Sequence, residues 1–322
     1  MTTPHYQELG DGIYCIDTRL YRHGMVACYL IESQGRLALV DTGTSPGVPD
    51  LLELLDRLGF SPAQMDYVMP THVHLDHAGG SGALMAACPN ARLVTHPKGV
   101  PHLIDPARLT AGALAVYGAE AFARDFGELL PIPAERVIAA ADGQSFPLGE
   151  RLLTVLDSPG HANHHCCIFD SQSQGLFTGD TFGISYRELD TDQGPFLFAP
   201  TTPVAFDPDA WQTTLDRLMS RQPRAVYLTH FGRLEAPERL VDGLRASIQG
   251  LADLALAEES APDPERPERL RQAVAALFLE EVRAHGCALP DPEIRRVLAV
   301  DTELNAQGLE VWLQRRAKSV AH

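Results

Sequence analysis

Short apolar runs at strand length dominate the first two thirds of the chain, and helical spacing dominates the last third. Runs at 12–17, 26–31 and 37–40 predict three consecutive strands with turns between them. Over 48–58, Leu51, Leu52, Leu54, Leu55 and Leu58 recur on one helical face and the pattern stops at Gly59, which predicts a helix. Further strands are predicted at 67–69, 92–95, 152–156, 166–169, 175–178 and 225–228, with a short helix at 81–87 whose N-terminus faces the loop before it. The stretch 97–133 carries helical patterns at 109–117 and 119–130 and is expected to form a lid or pocket wall. Beyond residue 233 the spacing of Leu240, Leu244, Ile248 and Leu251, then of Leu270, Val274, Leu277 and Phe278, predicts helices over 236–259, 265–285 and 292–316. A linker at 260–264 and a break at 286–292 separate them. The pattern therefore predicts an α/β domain over 1–235 and a helical extension over 236–322, which would serve as a pocket wall, a homodimer surface or a structural cap.

Composition narrows the class. A chain of 322 residues with 45% hydrophobic and 21% charged residues is ordinary for a globular protein. No apolar run is long enough for a membrane span. The start, Met1-Thr2-Thr3-Pro4-His5, has neither a basic nor an apolar segment, so no secretory signal is expected. Six cysteines without paired spacing, two of them adjacent at Cys166 and Cys167, predict buried thiols in a reducing compartment, hence a cytoplasmic location. A formal net charge of −16, from 42 acidic and 26 basic residues, disfavours nucleic acid as a partner and leaves a small-molecule substrate.

The chemistry concentrates in Thr71-His72-Val73-His74-Leu75-Asp76-His77-Ala78-Gly79-Gly80, where three imidazoles and a carboxylate fall within six residues, directly after an apolar run. Both are ligand types for borderline cations. A structural role would leave several polar rings competing for partners. Three more potential ligands follow strand-like runs: His161 in Asp157-Ser158-Pro159-Gly160-His161, Asp180 in Gly179-Asp180-Thr181, and His230 in Thr229-His230-Phe231-Gly232. Residues at strand ends gather at a sheet edge even when they are far apart in sequence. His5, His23, His96 and His102 have no such context.

These residues, with an upstream Val40-Asp41-Thr42-Gly43, resemble the metallo-β-lactamase fold superfamily of metallohydrolases over roughly residues 6–233. The resemblance implies a four-layer αβ/βα sandwich. It implies that His72, His74 and His161 hold one metal ion, that Asp76, His77 and His230 hold a second, and that Asp180 bridges them. Two divalent ions follow, zinc first, with iron or manganese accepted by the same donors. Such a pair, about 3.5–4 Å apart, shares a hydroxide and polarises the bond under attack. The implied reaction is hydrolysis of a carboxylic ester, thioester or lactone, as in glyoxalase II and lactonase relatives. Asp76 is the catalytic candidate, orienting the nucleophile or passing a proton.

Asp41 is a candidate partner for the outer N–H of a ligand histidine, or simply an Asx turn. His165 is a candidate supporting residue and His164 a surface imidazole. Tyr186 would either donate to an oxyanion or pack. It lies in the segment 182–203, expected as the second pocket wall, where Arg187, with Arg233 further on, is a candidate for an anionic substrate group. Glyoxalase II enzymes also carry a C-terminal helical domain, but their glutathione-contacting residues are not matched here. The alternatives are a phosphodiesterase or nuclease of the same fold, and a mononuclear iron enzyme of the persulfide dioxygenase kind. A non-enzymatic role needs only a closed four-ligand site.

Overall fold

The computed structural model describes residues 5–201, 205–262 and 264–320. The reading of the N-terminus therefore falls almost wholly outside the described residues, as do Asp263 of the 260–264 linker and the last two residues of the 182–203 wall. The chain divides into two compact units. The first comprises Met1–Ser158, His164–Gly179 and Pro223–Glu235; the second comprises Pro159–Asn163, Asp180–Gln222 and Ala236–His322.

The first unit holds two sheets. One has seven strands in sequence order: β1 (His5–Gly10), β2 (Ile13–Asp17), β3 (Ala27–Ser33), β4 (Arg36–Val40), β5 (Met65–Met69), β6 (Arg92–Thr95) and β7 (Val137–Ala139). Strands β1 to β4 form an antiparallel meander and β4 to β7 run parallel. The second sheet contains β8 (Ser145–Leu148), β9 (Arg151–Asp157), β10 (Cys166–Asp170), β11 (Gly175–Gly179), β12 (Ala225–Leu228) and β13 (Gly232–Glu235). Only β11 and β12 pair in parallel there. The unit's helices are α1 (Val48–Arg57), α2 (Leu75–Ala78), α3 (Ser81–Ala87), α4 (Val100–Ile104), α5 (Ala107–Tyr117) and α6 (Ala119–Asp125).

The continuous apolar runs of β3 and β4 are explained by burial on both faces. Cys28, Leu30, Leu37 and Leu39 pack against Val48, Leu51, Leu54 and Leu55 of α1. The alternate residues Ala27, Tyr29, Ile31, Ala38 and Val40 pack against Phe146, Leu153, Val155, Ile168 and Phe177 of the second sheet. The period of two therefore sends one set of side chains to the helices and the other to the layer between the sheets. Each buried valine, leucine, isoleucine or phenylalanine among them contributes about 1.5–3 kcal/mol.

The stretch 97–133 forms three short helices, and Ala113 of α5 and Phe122 of α6 pack on Leu75 of α2. The pattern over 119–130 predicts a helix five residues longer than α6. The chain instead turns at Gly127, which has φ +66°.

The second unit is helical: α7 (Pro208–Met219), α8 (Val241–Ala257), α9 (Arg266–Ala284), α10 (Asp291–Val297) and α11 (Ala299–Val320). Asp207 caps α7 by accepting from the Ala210 N–H at 3.0 Å, and Pro208 takes the first helical position. Leu244, Ile248, Leu270, Val274, Phe278 and Leu309 are at most 1% exposed and form its core. The pattern over 292–316 predicts one helix; the chain forms α10 and α11 with a break at Leu298. No helix among the described residues is long and apolar enough to cross a membrane.

Candidate metal centre

In the first unit the predicted residues leave the C-terminal ends of β4, β5 and β12. Asp41 directly follows β4, is fully buried, and adopts φ +56°. Its carboxylate accepts from the Thr71 N–H at 2.7 Å, the Thr71 hydroxyl at 3.0 Å and the Thr229 hydroxyl at 2.6 Å. It also accepts the Nδ1–H of His77 at 2.8 Å. One carboxylate thus ties together the residue before His72, the residue before His230, and the ring of His77.

The same economy sets the other rings. His230 Nδ1 donates to the Met25 carbonyl at 2.8 Å. His72 Nδ1 lies 3.1 Å from the Thr71 hydroxyl, which already donates to Asp41 and so accepts from the ring. With the proton held on Nδ1, each ring presents the lone pair of Nε2. His72 Nε2 lies 2.8 Å from His74 Nδ1. Asp76, His77 and His230 offer one donor atom each, all within 4.8 Å of one another. Asp76 Oδ2 is 3.1 Å from His230 Nε2 and 3.5 Å from His77 Nε2. Burial alone would raise the Asp76 carboxyl, but those two rings hold it well below the usual carboxylate range. Its side chain keeps 29% exposure, so one side stays open to a reactant.

His165 is fully buried beneath His72, with ring centroids 4.7 Å apart, and its Nδ1 pairs with the Ser158 hydroxyl at 2.9 Å. Gly179, at the end of β11, sits so close that an added Cβ would lie 2.6 Å from His165 Nε2 and 2.5 Å from the Thr71 hydroxyl. With φ +49° as well, that position admits only glycine without strain.

The second unit contributes His161 and Asp180, whose Nε2 and Oδ2 are 3.3 Å apart. His161 Nδ1 donates to the Pro200 carbonyl at 2.8 Å, so this ring too presents Nε2. Trp211 of α7 stands edge-on to the ring, with centroids 5.8 Å apart, and its indole N–H donates to the Thr181 carbonyl beside Asp180 at 2.7 Å. Gly160 lets that tryptophan in, since a Cβ there would lie 2.4 Å from it.

Other predicted residues have partners of their own. Tyr186 is fully buried inside the second unit and its hydroxyl donates to Asp301 at 3.1 Å, the contact of a packing residue. Phe196 and Phe198 belong to the same core, Phe198 lying 5.0 Å from Phe278. Arg187 pairs with Asp190, and Arg233 with Glu235. Sequence reading assigned no role to Thr71 or Thr229, although both precede a ligand histidine in a repeated Thr-His pair. It also left His164 on the surface, whereas that ring lies 5.7 Å from His74. Tyr117 was unmarked as well; burial first, and the Asp76 charge next, push its phenol up to about 12, so it stays a donor.

A family model described as the metallo-beta-lactamase superfamily matches residues 21–230. The chain belongs to that superfamily. It is 26% identical over 229 residues to a metallo-beta-lactamase fold-containing protein of Sulfurisphaera tokodaii, covering 68% of this chain and 77% of that protein. It is 28% identical over 186 residues to an acyl-coenzyme A thioesterase of Gallus gallus, covering 54% of this chain and 64% of the thioesterase. A crystal structure of a metallo-beta-lactamase family protein from Thermus thermophilus matches with a TM-score of 0.66 at 21% identity, covering 96% of this chain and 95% of that one. The fold is accordingly the αβ/βα sandwich of the superfamily, with a C-terminal helical region. With these relatives and histidine and aspartate sets arranged to bind divalent metal, the chain is a metal-dependent hydrolase.

Proposed function

We propose that the chain hydrolyses an acyl thioester, or a related carboxylic ester or lactone, at a dinuclear metal centre. In this reading His72, His74 and His161 hold one ion, Asp76, His77 and His230 hold the other, and Asp180 serves both. The observation that carries it is the uniform engagement of the rings. His72, His77, His161 and His230 each have Nδ1 occupied by a hydroxyl, carboxylate or carbonyl, which leaves Nε2 as the donor. Neutral imidazoles and two carboxylates suit zinc first, and iron or manganese as well. When bound, two such ions would supply a water of lowered pKa and polarise the carbonyl.

The chain's own part is positional. Asp41 fixes His77 and both threonines, so the donors need no rearrangement before binding. Asp76, on its open side, accepts the proton of the attacking water and returns it to the leaving thiol or alcohol. Residues 1–235 form the catalytic domain in this reading, with 236–322 as its extension. The net charge of −16 and the pairing of Arg187 and Arg233 with acidic neighbours favour an acyl substrate over a phosphodiester. The thioesterase relative points to the thioester within that class. The burial of all six cysteines supports a cytoplasmic setting.

The test is turnover of the full chain on acyl-coenzyme A esters, lactones and phosphodiesters, before and after chelation. Thioester cleavage that chelation abolishes and zinc restores is the expected result. Phosphodiester cleavage with no ester turnover at full metal loading would overturn the proposal.

A further inference from the structure

We infer that Asn305, on the C-terminal helix α11, is a positioning residue for the metal ligand His161. This rests on the reading of His161 as a ligand. The link is one peptide group, the Pro200–Thr201 amide. Its carbonyl accepts His161 Nδ1–H at 2.8 Å, and its N–H donates to Asn305 Oδ1 at 2.7 Å. Because the peptide is planar, fixing the N–H fixes the direction of the carbonyl, and the carbonyl fixes the ring. Engaging the N–H also polarises the carbonyl and strengthens its bond to the imidazole.

The orientation of Asn305 follows from its partners. The Thr201 N–H can only donate, so the asparagine must turn its oxygen to it. Its Nδ2 then donates to the Asp301 carbonyl one turn earlier in α11, at 2.8 Å. The Thr201 hydroxyl adds a bond to Oδ1 at 2.8 Å and approaches the Asn305 carbonyl at 3.1 Å. Both residues are at most 1% exposed. A buried asparagine with this many committed bonds costs free energy unless every one is made. Asp301, on the same face of α11, takes the Tyr186 hydroxyl at 3.1 Å. The helix therefore grips the segment that follows Asp180 at two points, Tyr186 and Thr201. Residues of a nominal cap thus determine where a ligand ring points.

The experiment measures zinc affinity of the full chain by competition with a chromophoric chelator, alongside melting temperature, for wild type, His161→Ala, Asn305→Ala, Thr201→Val and Leu309→Ala. Leu309 is fully buried one turn further along the same helix, and its side chain has no polar atom with which to bond Thr201, so it reports plain destabilisation. Asn305→Ala should weaken zinc at one position about ten-fold, with Leu309→Ala close to wild type despite a lower melting temperature. Thr201→Val keeps the shape and loses only the hydroxyl bonds; it should weaken zinc about three-fold, and it decides the matter if Asn305→Ala does not fold. Wild-type affinity in Asn305→Ala, or equal losses in Asn305→Ala and Leu309→Ala, would overturn the inference while leaving His161 a ligand. Wild-type affinity in His161→Ala would remove the ligand reading itself.

Discussion

Asp41 takes hydrogen bonds from a backbone N–H, two threonine hydroxyls and the His77 ring, all inside the first unit. A carboxylate can accept from all of them at once; an amide cannot, because one of its two ends only donates. Asp41→Asn should therefore force His77 to share or surrender its Nδ1 proton and weaken metal binding by about 10- to 100-fold. Zinc affinity unchanged in that variant would reduce Asp41 to a turn residue. At this scale the seven ligand candidates were legible, because a histidine or aspartate at a strand end states its chemistry in its own residue type. Asp41 was half legible, since Asp41-Thr42-Gly43 reads equally as a turn. Asn305 was not legible at all: it meets Thr201 across 104 residues, and neither residue carries a motif.

At the scale of elements, the strands that the apolar pattern missed are β1, β7, β8 and β13, the outermost strand at each end of the two sheets. An edge strand pairs on one side and buries little, so it needs no apolar run. His5–Gly10 is almost wholly exposed, and β8 tolerates Pro147 because its outer side needs no donor. The α10–α11 break was unreadable for the opposite reason, since 292–316 keeps its helical spacing through Leu298 with no glycine or proline there.

Helix α9 also carries a titratable group that the site does not use. Burial, and then Glu280, push the Glu281 carboxyl up to about 7. Its Oε1 faces Gly250 of α8, and its Oε2 has no hydrogen-bond partner among the described residues. The unfolded chain releases this proton near pH 4.5, whereas the folded chain keeps it to about 7. Stability from this group is therefore complete below pH 4.5 and is lost as pH rises to about 7, up to about 3 kcal/mol in all. Glu281→Gln should melt higher than wild type at pH 8 and much closer to it at pH 5. A difference independent of pH would show that the carboxyl is already ionised in the fold.

For the whole molecule, the residues named in the proposed reading are divided between the two units. The first contains His72, His74, Asp76, His77 and His230; the second contains His161, whose ring the Pro200 carbonyl holds, and Asp180, next to the Thr181 carbonyl that takes the Trp211 indole N–H. The last third of the chain, which pattern alone left as wall, dimer surface or cap, belongs to the unit that carries those two residues. The measurement that bears most directly on this account is elemental analysis of the full chain purified without chelator. About two divalent ions per chain, zinc or a mixture with iron or manganese, is the predicted result. A single iron per chain at full loading, with oxygen consumed on a persulfide, would contradict it.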